Sequence, residues 1–373
     1  MGRRLAGSAV GDIMLTTSST LEALATKTSM RPVSDRLAAQ CRPLVEDFFT
    51  PRPSRMWIDF FVTLVVAYAA AWWFLLPAQD LWVTCLAYGI AVGGLYRLSM
   101  FIHEIVHFRR HQMPGFAKTW NLLAGVPLLM PSFLYDSHLT HHNPRHYGTR
   151  ADGEYLPLGL GSVRGLLLFL GQILIHPLYV FSRFCFGTPV SLLHRSWRHW
   201  ILERASSLVI NFSYCREIPE QGIGRFEFWL EIACMLRAWA LVATVVLGFA
   251  PWSRLPMFYL LACGALGLNH LRTLAAHRYR NAGGSMSHDD QFLDSTNITG
   301  TLVTEVLCPL GLRYHALHHL LPAVPYYHLP AAHRRLTQLL PETSPYHDAT
   351  YPSYSSVVRE LIRSVISSGR QTS

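Results

Sequence analysis

Charged residues are scarce in this sequence. Lys, Arg, Asp and Glu together make up only 15% of the 373 residues, whereas hydrophobic residues make up half of the chain. This composition is too apolar for an ordinary soluble domain, and the chain is long enough for several membrane spans. We therefore predict an integral membrane protein.

Several signatures of other protein classes are missing. The seven cysteines are scattered and never spaced as C-x-x-C, which argues against a disulfide framework or a cysteine zinc site and favours a reducing compartment. The first 20 residues contain no hydrophobic region typical of a cleaved signal peptide, so the first membrane span should act as the targeting signal. The net charge of +9 comes without a dense basic block, which argues against nucleic acid as a partner.

Long apolar stretches predict four membrane spans arranged as two hairpins. Each stretch approaches the roughly 20 residues that a helix needs to cross a bilayer core. Only the short sequences PAQD and PWSR separate the two members of each pair. The apolar stretch 120–135 contains two prolines and is too short for a span, so we expect an interfacial or re-entrant segment there. The stretch 163–181 is ambiguous in the same way, because Gln172, His176 and Pro177 interrupt it. The predicted spans are residues 57–76, 81–101, 228–250 and 255–275.

The predicted fold class is therefore an all-α integral membrane protein. Residues 1–55 would form an N-terminal arm, 56–340 the membrane domain, and 341–373 a C-terminal tail. The two hairpin turns contain only one basic residue, Arg254, whereas the arm, the segment between the hairpins and the tail contain most of the others. Because cytoplasmic loops collect Lys and Arg, we expect both termini and the middle segment to be cytoplasmic.

Histidine is abundant, with 19 residues, and three clusters of it follow a pattern. HEIVH, residues 103–107, fits the H-E-x-x-H pattern, in which two histidines bind zinc and Glu104 would be the general base of a protease. HLTHH and HALHH begin at His138 and His315. All three clusters lie on the side that is predicted to be cytoplasmic. They contain eight histidines: His103, His107, His138, His141, His142, His315, His318 and His319.

The spacing within these clusters suits metal binding. On a helix, residues three or four apart are neighbours, whereas adjacent residues point about 100° apart. An H-x-x-H-H motif can therefore present imidazoles to two metal ions at once. Eight histidines also exceed what a single catalytic zinc requires, since such a zinc takes three protein ligands. Two metal ions in a histidine-rich, cytoplasmic cap is the hypothesis that accounts for all eight.

HEIVH, HLTHH and HALHH, in this order and with hairpins before the first and between the second and third, resemble the three histidine boxes of the membrane fatty acid desaturase and hydroxylase superfamily. The sequences NHLRTLAAHRYRN and GLRYHALHHLLPAVPYYHLPAAHRRL resemble its bacterial lipid desaturase branch. The resemblance covers roughly residues 55–340. It implies a non-haem centre of two iron ions that uses O2 as co-substrate.

The resemblance also implies one more histidine ligand after the fourth span. His277 is the predicted ligand, and His270, seven residues earlier, is the competing candidate because it would lie deeper in the membrane. Asn269 or Asn297 could support a ligand through water. Glu104, His111 and His146 are candidates for groups that orient a ligand or face the lipid headgroups.

Three activities are compatible with these residues. The leading hypothesis is an acyl lipid desaturase that acts on an acyl lipid, acyl-CoA or acyl-carrier protein. The second is a hydroxylase or ketolase of the same superfamily, acting on an alkyl, sphingolipid or carotenoid chain. The third is an intramembrane zinc protease that uses His103, His107 and Glu104, and it would leave the other two boxes without a role.

Either oxidase needs electrons from outside the chain, since the sequence has no flavin or NAD fingerprint and no H-P-G-G signature of cytochrome b5. Ferredoxin or cytochrome b5 is the donor that the resemblance implies. Arg109, Arg110, Arg334 and Arg335 lie near the first and third boxes and are candidates for a docking or headgroup-binding surface.

Overall fold

A computed structural model of the protein describes residues 36–77, 79–109, 111–219 and 222–371. The described chain is mostly helical, as the sequence predicts. Its α-helices are α1 (Arg36–Leu44), α2 (Pro53–Phe74), α3 (Leu81–His107), α4 (Phe116–Trp120), α5 (Ser137–His141), α6 (Val163–Ser182), α7 (Thr188–Leu193), α8 (Arg195–Ala205), α9 (Arg225–Val246), α10 (Arg254–Thr273), α11 (His288–Asp294), α12 (Leu302–Leu307), α13 (His315–Leu320), α14 (Leu329–Leu339) and α15 (Tyr354–Gln371).

Shorter elements connect these helices. Two strands, β1 (Asn297–Ile298) and β2 (Thr350–Tyr351), pair in parallel. Two π-helical turns extend α4 and α6, at Asn121–Gly125 and Arg183–Gly187. Turns of 3-10 helix occupy Glu46–Phe49, Ser132–Tyr135, Leu158–Leu160, Tyr326–His328 and Pro345–Ala349.

Four helical segments of the described chain are long and apolar enough to cross a membrane. They are Pro53–Phe74, Leu81–His107, Val163–Leu193 and Arg225–Val246. Three of them coincide with predicted spans. The third comprises α6, the following π-turn and α7, and the sequence leaves this stretch undecided because Gln172, His176 and Pro177 interrupt it. Helix α10 coincides with the predicted span 255–275 but does not meet the same criterion, because polar residues such as Asn269 and His270 lower its mean hydropathy.

The first two helices form the predicted hairpin. A Cβ atom on Gly94 would lie only 2.8 Å from the Cα of Ala67, so this glycine permits the close approach of α2 and α3. One terminal nitrogen of Arg97 on α3 donates to both carboxylate oxygens of Asp59 on α2, and the Tyr326 hydroxyl also donates to Asp59. The hairpin is thereby fixed to the chain segment that comes after the third histidine box.

Helix α9 is attached to the π-turn by a buried ion cluster. Glu231 is fully buried and accepts from Arg183 and Arg198, with nitrogen–oxygen distances of 2.7 and 2.6 Å. The sequence suggests that Glu231 lies at the membrane interface, because the span can be started at Ala238 instead. The structure adds the partners of this carboxylate, since two arginines more than 30 residues away in sequence neutralise it.

The parts of both tails that the structure describes pack on the cap. Arg335 forms an ion pair with Asp47 and lies 4.2 Å from the ring centroid of Phe48. Leu361 and Val365 of α15 are buried against the segment around Tyr155. Residues 1–35 of the predicted arm lie outside the described residues.

Candidate metal centre

Each histidine box is held by a short helical element. His103 and His107 lie on the last two turns of α3, which runs through the first box rather than ending at residue 101 as predicted. The second box lies on α5 and its C-terminal cap, and the third on α13. Ala316 on α13 donates its N–H to the carbonyl of Thr296, and Leu317 donates to the Asn297 side chain. These bonds anchor the third box to β1.

The nine predicted ligands come together in two groups of imidazoles. The first group contains candidate ligands from all three boxes. The second group contains one histidine from the second box, two from the third, and His277. Within each group the candidate ligand atoms all lie within 4.8 Å of one another. The first group is His103, His107, His138, His142 and His318, and the second is His141, His277, His315 and His319.

Adjacent histidines separate into different groups. His141 and His142 are neighbours in sequence, yet each faces a different group, and the same holds for His318 and His319. The two groups are adjacent in space, since the rings of His142 and His319 stack with centroids 4.3 Å apart. This is the arrangement expected when consecutive positions on a helix point about 100° apart.

In both groups, Nε2 atoms face one another at close range. The Nε2 atom of His318 lies 3.1 Å from that of His107 and 3.2 Å from that of His142. In the second group, Nε2 of His315 lies 3.0 Å from that of His277 and 3.2 Å from that of His319. Two imidazole ligands at about 2.1 Å from one metal ion and at a right angle to each other are about 3 Å apart.

The opposite ring nitrogens of three histidines, His138, His141 and His277, are hydrogen-bonded to acids or hydroxyls. Nδ1 of His138 lies 3.0 Å from both carboxylate oxygens of Glu154, and Nδ1 of His141 lies 2.9 Å from Asp152. A carboxylate can only accept, so each Nδ1 carries the proton and each Nε2 presents a lone pair. Such outer partners orient metal-binding histidines and raise their basicity. Nδ1 of His315 and Nδ1 of His319 are buried without a hydrogen-bond partner among the described residues.

His277 reaches the same protonation state through two hydroxyls. Its Nδ1 lies 2.8 Å from the Tyr147 hydroxyl and 3.0 Å from the Ser295 hydroxyl. The Tyr147 hydroxyl donates to Asp294, and the Ser295 hydroxyl donates to the carbonyl of Gln291. Both hydroxyl protons are therefore committed elsewhere, and Nδ1 of His277 must be the donor. Its Nε2 lone pair then faces Nε2 of His315.

Burial keeps most of these imidazoles neutral. It lowers the pKa of His138, His142 and His277 well below the ordinary value, and neighbouring histidines lower it further. The same causes lower the pKa of the three histidines of the third box. His141 is the exception, because the charge and hydrogen bond of Asp152 outweigh its burial and raise its pKa.

Neutral imidazoles with facing lone pairs are a suitable host for a divalent transition metal ion. A cation between the Nε2 atoms would satisfy them, and Nε2 of His103 is buried without a hydrogen-bond partner. No cysteine or carboxylate belongs to either group. Imidazole donors suit iron, zinc, copper and nickel, so the donor set fits the two iron ions implied by the resemblance without selecting among these metals.

The remaining candidate residues lie around these groups or away from them. Glu104 is buried, with one carboxylate oxygen 3.6 Å from Nδ1 of His103 and the other 3.4 Å from the Tyr326 amide nitrogen. Asn297 is fully buried and caps the N–H of Leu317. Neither residue belongs to either group, and both contact a segment that carries candidate ligands or lies next to it. His111 is exposed and His146 is partly exposed, and neither belongs to either group.

His270 and Asn269 belong to a different polar site. Nδ1 of His270 bonds the carbonyl of Leu266, and its Nε2 lies 3.4 Å from Gln172 on α6. Asn269 accepts from Arg272 at 3.3 Å. The structure thus places His277, and not His270, with the box histidines.

The acids and hydroxyls that support the ligands have no motif in the sequence. Asp152 and Glu154 come about ten residues after the second box, within a loop that no periodic pattern marks. Tyr147 comes from one segment, and the adjacent residues Asp294 and Ser295 come from another. Only the alternation of acids in ADGEY, which begins nine residues after the second box, could have directed attention to the first two.

Comparison with known proteins agrees with this geometry. The family model described as fatty acid desaturase matches residues 86–351, which include all nine histidines. The chain is also 38% identical over 343 residues to a ceramide hydroxylase of Caulobacter vibrioides (strain NA1000 / CB15N), an alignment that covers 88% of this chain and 94% of the relative. On both findings, the chain belongs to the fatty acid desaturase family of membrane enzymes.

Proposed function

We propose that this protein is a membrane-bound, O2-dependent hydroxylase of a ceramide-like lipid. The observation that carries the proposal is the similarity to a ceramide hydroxylase along nearly the whole chain, from the membrane helices to the cap. The two imidazole groups could bind the metal ions for this reaction, since the oxidation of an unactivated C–H bond needs a strong metal–oxygen oxidant.

The comparisons favour the second sequence-based hypothesis over the first. From the sequence, a desaturase is the leading interpretation and a hydroxylase acting on a sphingolipid chain is the alternative. The two reactions share the same nine histidines and differ in the step after the first hydrogen abstraction. Hydroxylation is proposed because the similar protein is a hydroxylase.

The proposed reaction consumes one C–H bond, one O2 molecule, two electrons and two protons, and yields one C–OH group and one water molecule. Two iron ions, bound by the first and second groups, would supply the redox chemistry. The chain's own residues keep the imidazoles neutral, orient them through Asp152, Glu154 and Ser295, and bury them away from bulk water. Water exclusion limits side reactions of a strong oxidant.

Electrons would come from a separate carrier such as ferredoxin or cytochrome b5. Of the four arginines suggested for a docking surface, Arg109 and Arg334 are exposed and available. Arg335 is engaged by Asp47 and Phe48, and Arg110 lies outside the described residues. We also propose that the cap and both termini are cytoplasmic, because of the distribution of Lys and Arg.

The zinc protease alternative gains no support from the arrangement of the first box. His103 and His107 share their group with three further imidazoles, two from the second box and one from the third. Glu104 is buried beside the Tyr326 amide, and no polar group of the site other than His103 approaches it among the contacts of the described residues.

The test is expression in a host that contains ceramide and a compatible electron donor, followed by mass spectrometry of the lipids. We expect a ceramide that has gained one oxygen atom, and no such product from a His315→Ala variant. A product that has gained a double bond without oxygen would contradict hydroxylation and restore the desaturase hypothesis. Unchanged lipids together with a cleaved membrane peptide would favour the protease.

A further inference from the structure

Helix α8 lies between the ends of two segments that are long and apolar enough to cross a membrane. The third such segment ends at Leu193, and only His194 separates it from α8. The fourth begins at Arg225, and its Glu231 forms an ion pair with Arg198 of α8, with a nitrogen–oxygen distance of 2.6 Å. The chain leaves one apolar segment and enters the next at this point, so α8 lies at the level where the bilayer meets water.

The exposed face of α8 has an aromatic edge and a basic edge. Residues three or four apart on a helix are neighbours. Trp197 and Trp200 are such a pair, and they are 51% and 60% exposed, whereas other residues of the helix are buried against the protein. Arg195 and His199 are a second pair, and both are exposed. An amphipathic helix with tryptophan on one edge and basic residues on the other is suited to lie in the plane of a bilayer surface.

Basic residues around α8 outnumber the acids that pair with them. Residues 183–205 contain four arginines and one acid, Glu203. Two of the arginines share one further carboxylate, that of Glu231. Arg204 has Glu203 as its ion-pair partner, at 3.6 Å, and Arg195 forms no side-chain hydrogen bond or ion pair with a described residue. Four arginines against two carboxylates leave two positive charges for an anion from outside the chain.

An anionic phospholipid combines the features that this surface can bind. Its phosphate group accepts charge-assisted hydrogen bonds from arginine. Indole rings are enriched at the membrane boundary, where the ring contacts lipid chains and its N–H stays near polar groups. Arg204 follows Trp200 by four residues, and its flexible stem allows the guanidinium to extend from the aromatic edge to the headgroups. A soluble acidic protein matches the charge, but it does not account for two exposed indole rings at the level of the bilayer surface.

We propose that α8 is a binding site for anionic phospholipids. Arg195 and Arg204 donate hydrogen bonds to the lipid phosphate groups, and Trp197 and Trp200 lie between the headgroups and the upper part of the acyl chains. The ion pair of Arg198 holds α8 to α9 while lipids exchange. This proposal does not depend on the reaction that the metal centre carries out.

Protein contacts connect this site with the second histidine box. Arg183 of the buried ion cluster donates to the Ser206 hydroxyl, directly after α8. Arg216 donates to the carbonyls of Ser206 and Phe133, both at 2.9 Å. Phe133 lies five residues before His138. A lipid that binds the folded α8 should therefore stabilise the protein as a whole against unfolding.

The experiment uses the full-length protein in a neutral detergent and adds either phosphatidylglycerol, which is anionic, or phosphatidylcholine, which has no net charge. Both lipids carry bromine on their acyl chains, which quenches the fluorescence of nearby tryptophans. The test variant is Arg195→Gln/Arg204→Gln. Its matched control, Arg334→Gln/Arg359→Gln, removes two exposed arginines from α14 and α15 instead. The unfolding temperature is measured on the same samples.

We expect phosphatidylglycerol to quench the fluorescence and raise the unfolding temperature of the unchanged protein at concentrations where phosphatidylcholine does neither. The test variant should need on the order of tenfold more phosphatidylglycerol, and added salt should weaken binding to the unchanged protein. Arg195→Lys/Arg204→Lys keeps both charges and should bind nearly as the unchanged protein does, and so should the control. Trp197→Leu/Trp200→Leu should lose the quenching that phosphatidylglycerol causes.

Three results would overturn the proposal. The first is equal affinity for the two lipids in the unchanged protein, or equal affinity for phosphatidylglycerol in the unchanged protein and the test variant. The second is displacement of the lipid by millimolar inorganic phosphate, which would assign the site to a free anion. The third is binding of a soluble acidic redox carrier that is lost in the test variant, which would assign the surface to that carrier. The Lys variant and the salt dependence keep the test valid if the test variant does not fold.

Discussion

The two imidazole groups differ in number, burial and support. The first group has five members, and two of them, His107 and His142, are partly exposed. The second has four members, all buried. In the first group a single acid, Glu154, bonds the outer nitrogen of His138, whereas in the second Asp152, Tyr147 and Ser295 hold His141 and His277.

Because of this difference, the two proposed metal sites have unequal numbers of candidate ligands. The first group has a ligand to spare, so the loss of one imidazole leaves four. The second group has none to spare and depends on a ligand from outside the boxes, His277. Outer hydrogen bonds orient two of its members, His141 and His277, whereas Nδ1 of His315 and Nδ1 of His319 have no hydrogen-bond partner among the described residues.

The largest effect is expected from the loss of His277. His277→Ala leaves three imidazoles in the second group, and we expect it to lose about one of two metal ions and to reduce activity to background. His142→Ala leaves four in the first group and should retain more metal. Metal content per chain and product formation, measured on both variants, check this. Equal loss in the two would remove the distinction between the groups.

A smaller effect is expected from the acids behind the ligands. Asp152→Asn should weaken metal retention about 10–100-fold, which is typical of partners that orient a ligand. Glu154→Gln should weaken it less, because four other imidazoles of the first group are unaffected. Asp152 also accepts from the amides of Gly148 and Glu154, so its variant disturbs the loop as well. Competition with a chelator measures the metal affinity of each variant and so ranks the two. A larger loss in Glu154→Gln would reverse the comparison.

His333 lies on α14 behind the third box and belongs to neither group. We therefore expect its substitution to change the stability of the protein rather than one group in particular. Burial lowers its pKa from 6.5 to about 4, and its Nδ1 bonds the Tyr346 hydroxyl. The unfolded chain binds the proton first, so the contribution of His333 to stability is complete above pH 6.5 and is lost as the pH falls toward 4. The loss amounts to up to about 3 kcal/mol.

Thermal unfolding of His333→Gln and of the unchanged protein, both in detergent, measures this contribution. The difference in unfolding temperature between the two should shrink as the pH falls from above 6.5 toward 4. A difference that stays constant over this interval would refute the titration of His333.

The smallest effect is expected from His270, which serves as the matched control for His277. His270 lies outside both groups, and His270→Gln affects its contacts with the Leu266 carbonyl on α10 and with Gln172 on α6. Metal content should stay unchanged, and activity should fall no more than about threefold. A loss of metal as large as that of His277→Ala would mean that His270 is a ligand.

The sequence predicts much of this centre, for identifiable reasons. Spacing on a helix is a local property, so the eight box histidines can be recognised from it, and resemblance to the family adds His277. The first hairpin is predicted by two apolar runs and a short turn. The partners Asp152, Glu154, Tyr147 and Ser295 could not be predicted, because they meet their histidines only after distant segments have packed.

The membrane helices show the same limit. Length and hydropathy identify α2, α3 and α9, but they do not reveal that Arg183 and Arg198 neutralise Glu231. Helix α6 alone has 20 residues and is continuous through Gln172, His176 and Pro177, and a π-turn extends it into α7. Such continuity across polar residues and proline is not visible in a hydropathy pattern.

The central claim is that three histidine boxes and His277 build two metal sites. Elemental analysis of the purified protein, loaded with iron without O2, tests this claim most directly. We expect two iron ions per unchanged chain and about one per His277→Ala chain. A single zinc ion in the active protein, unaffected by the loss of His277, would contradict the account.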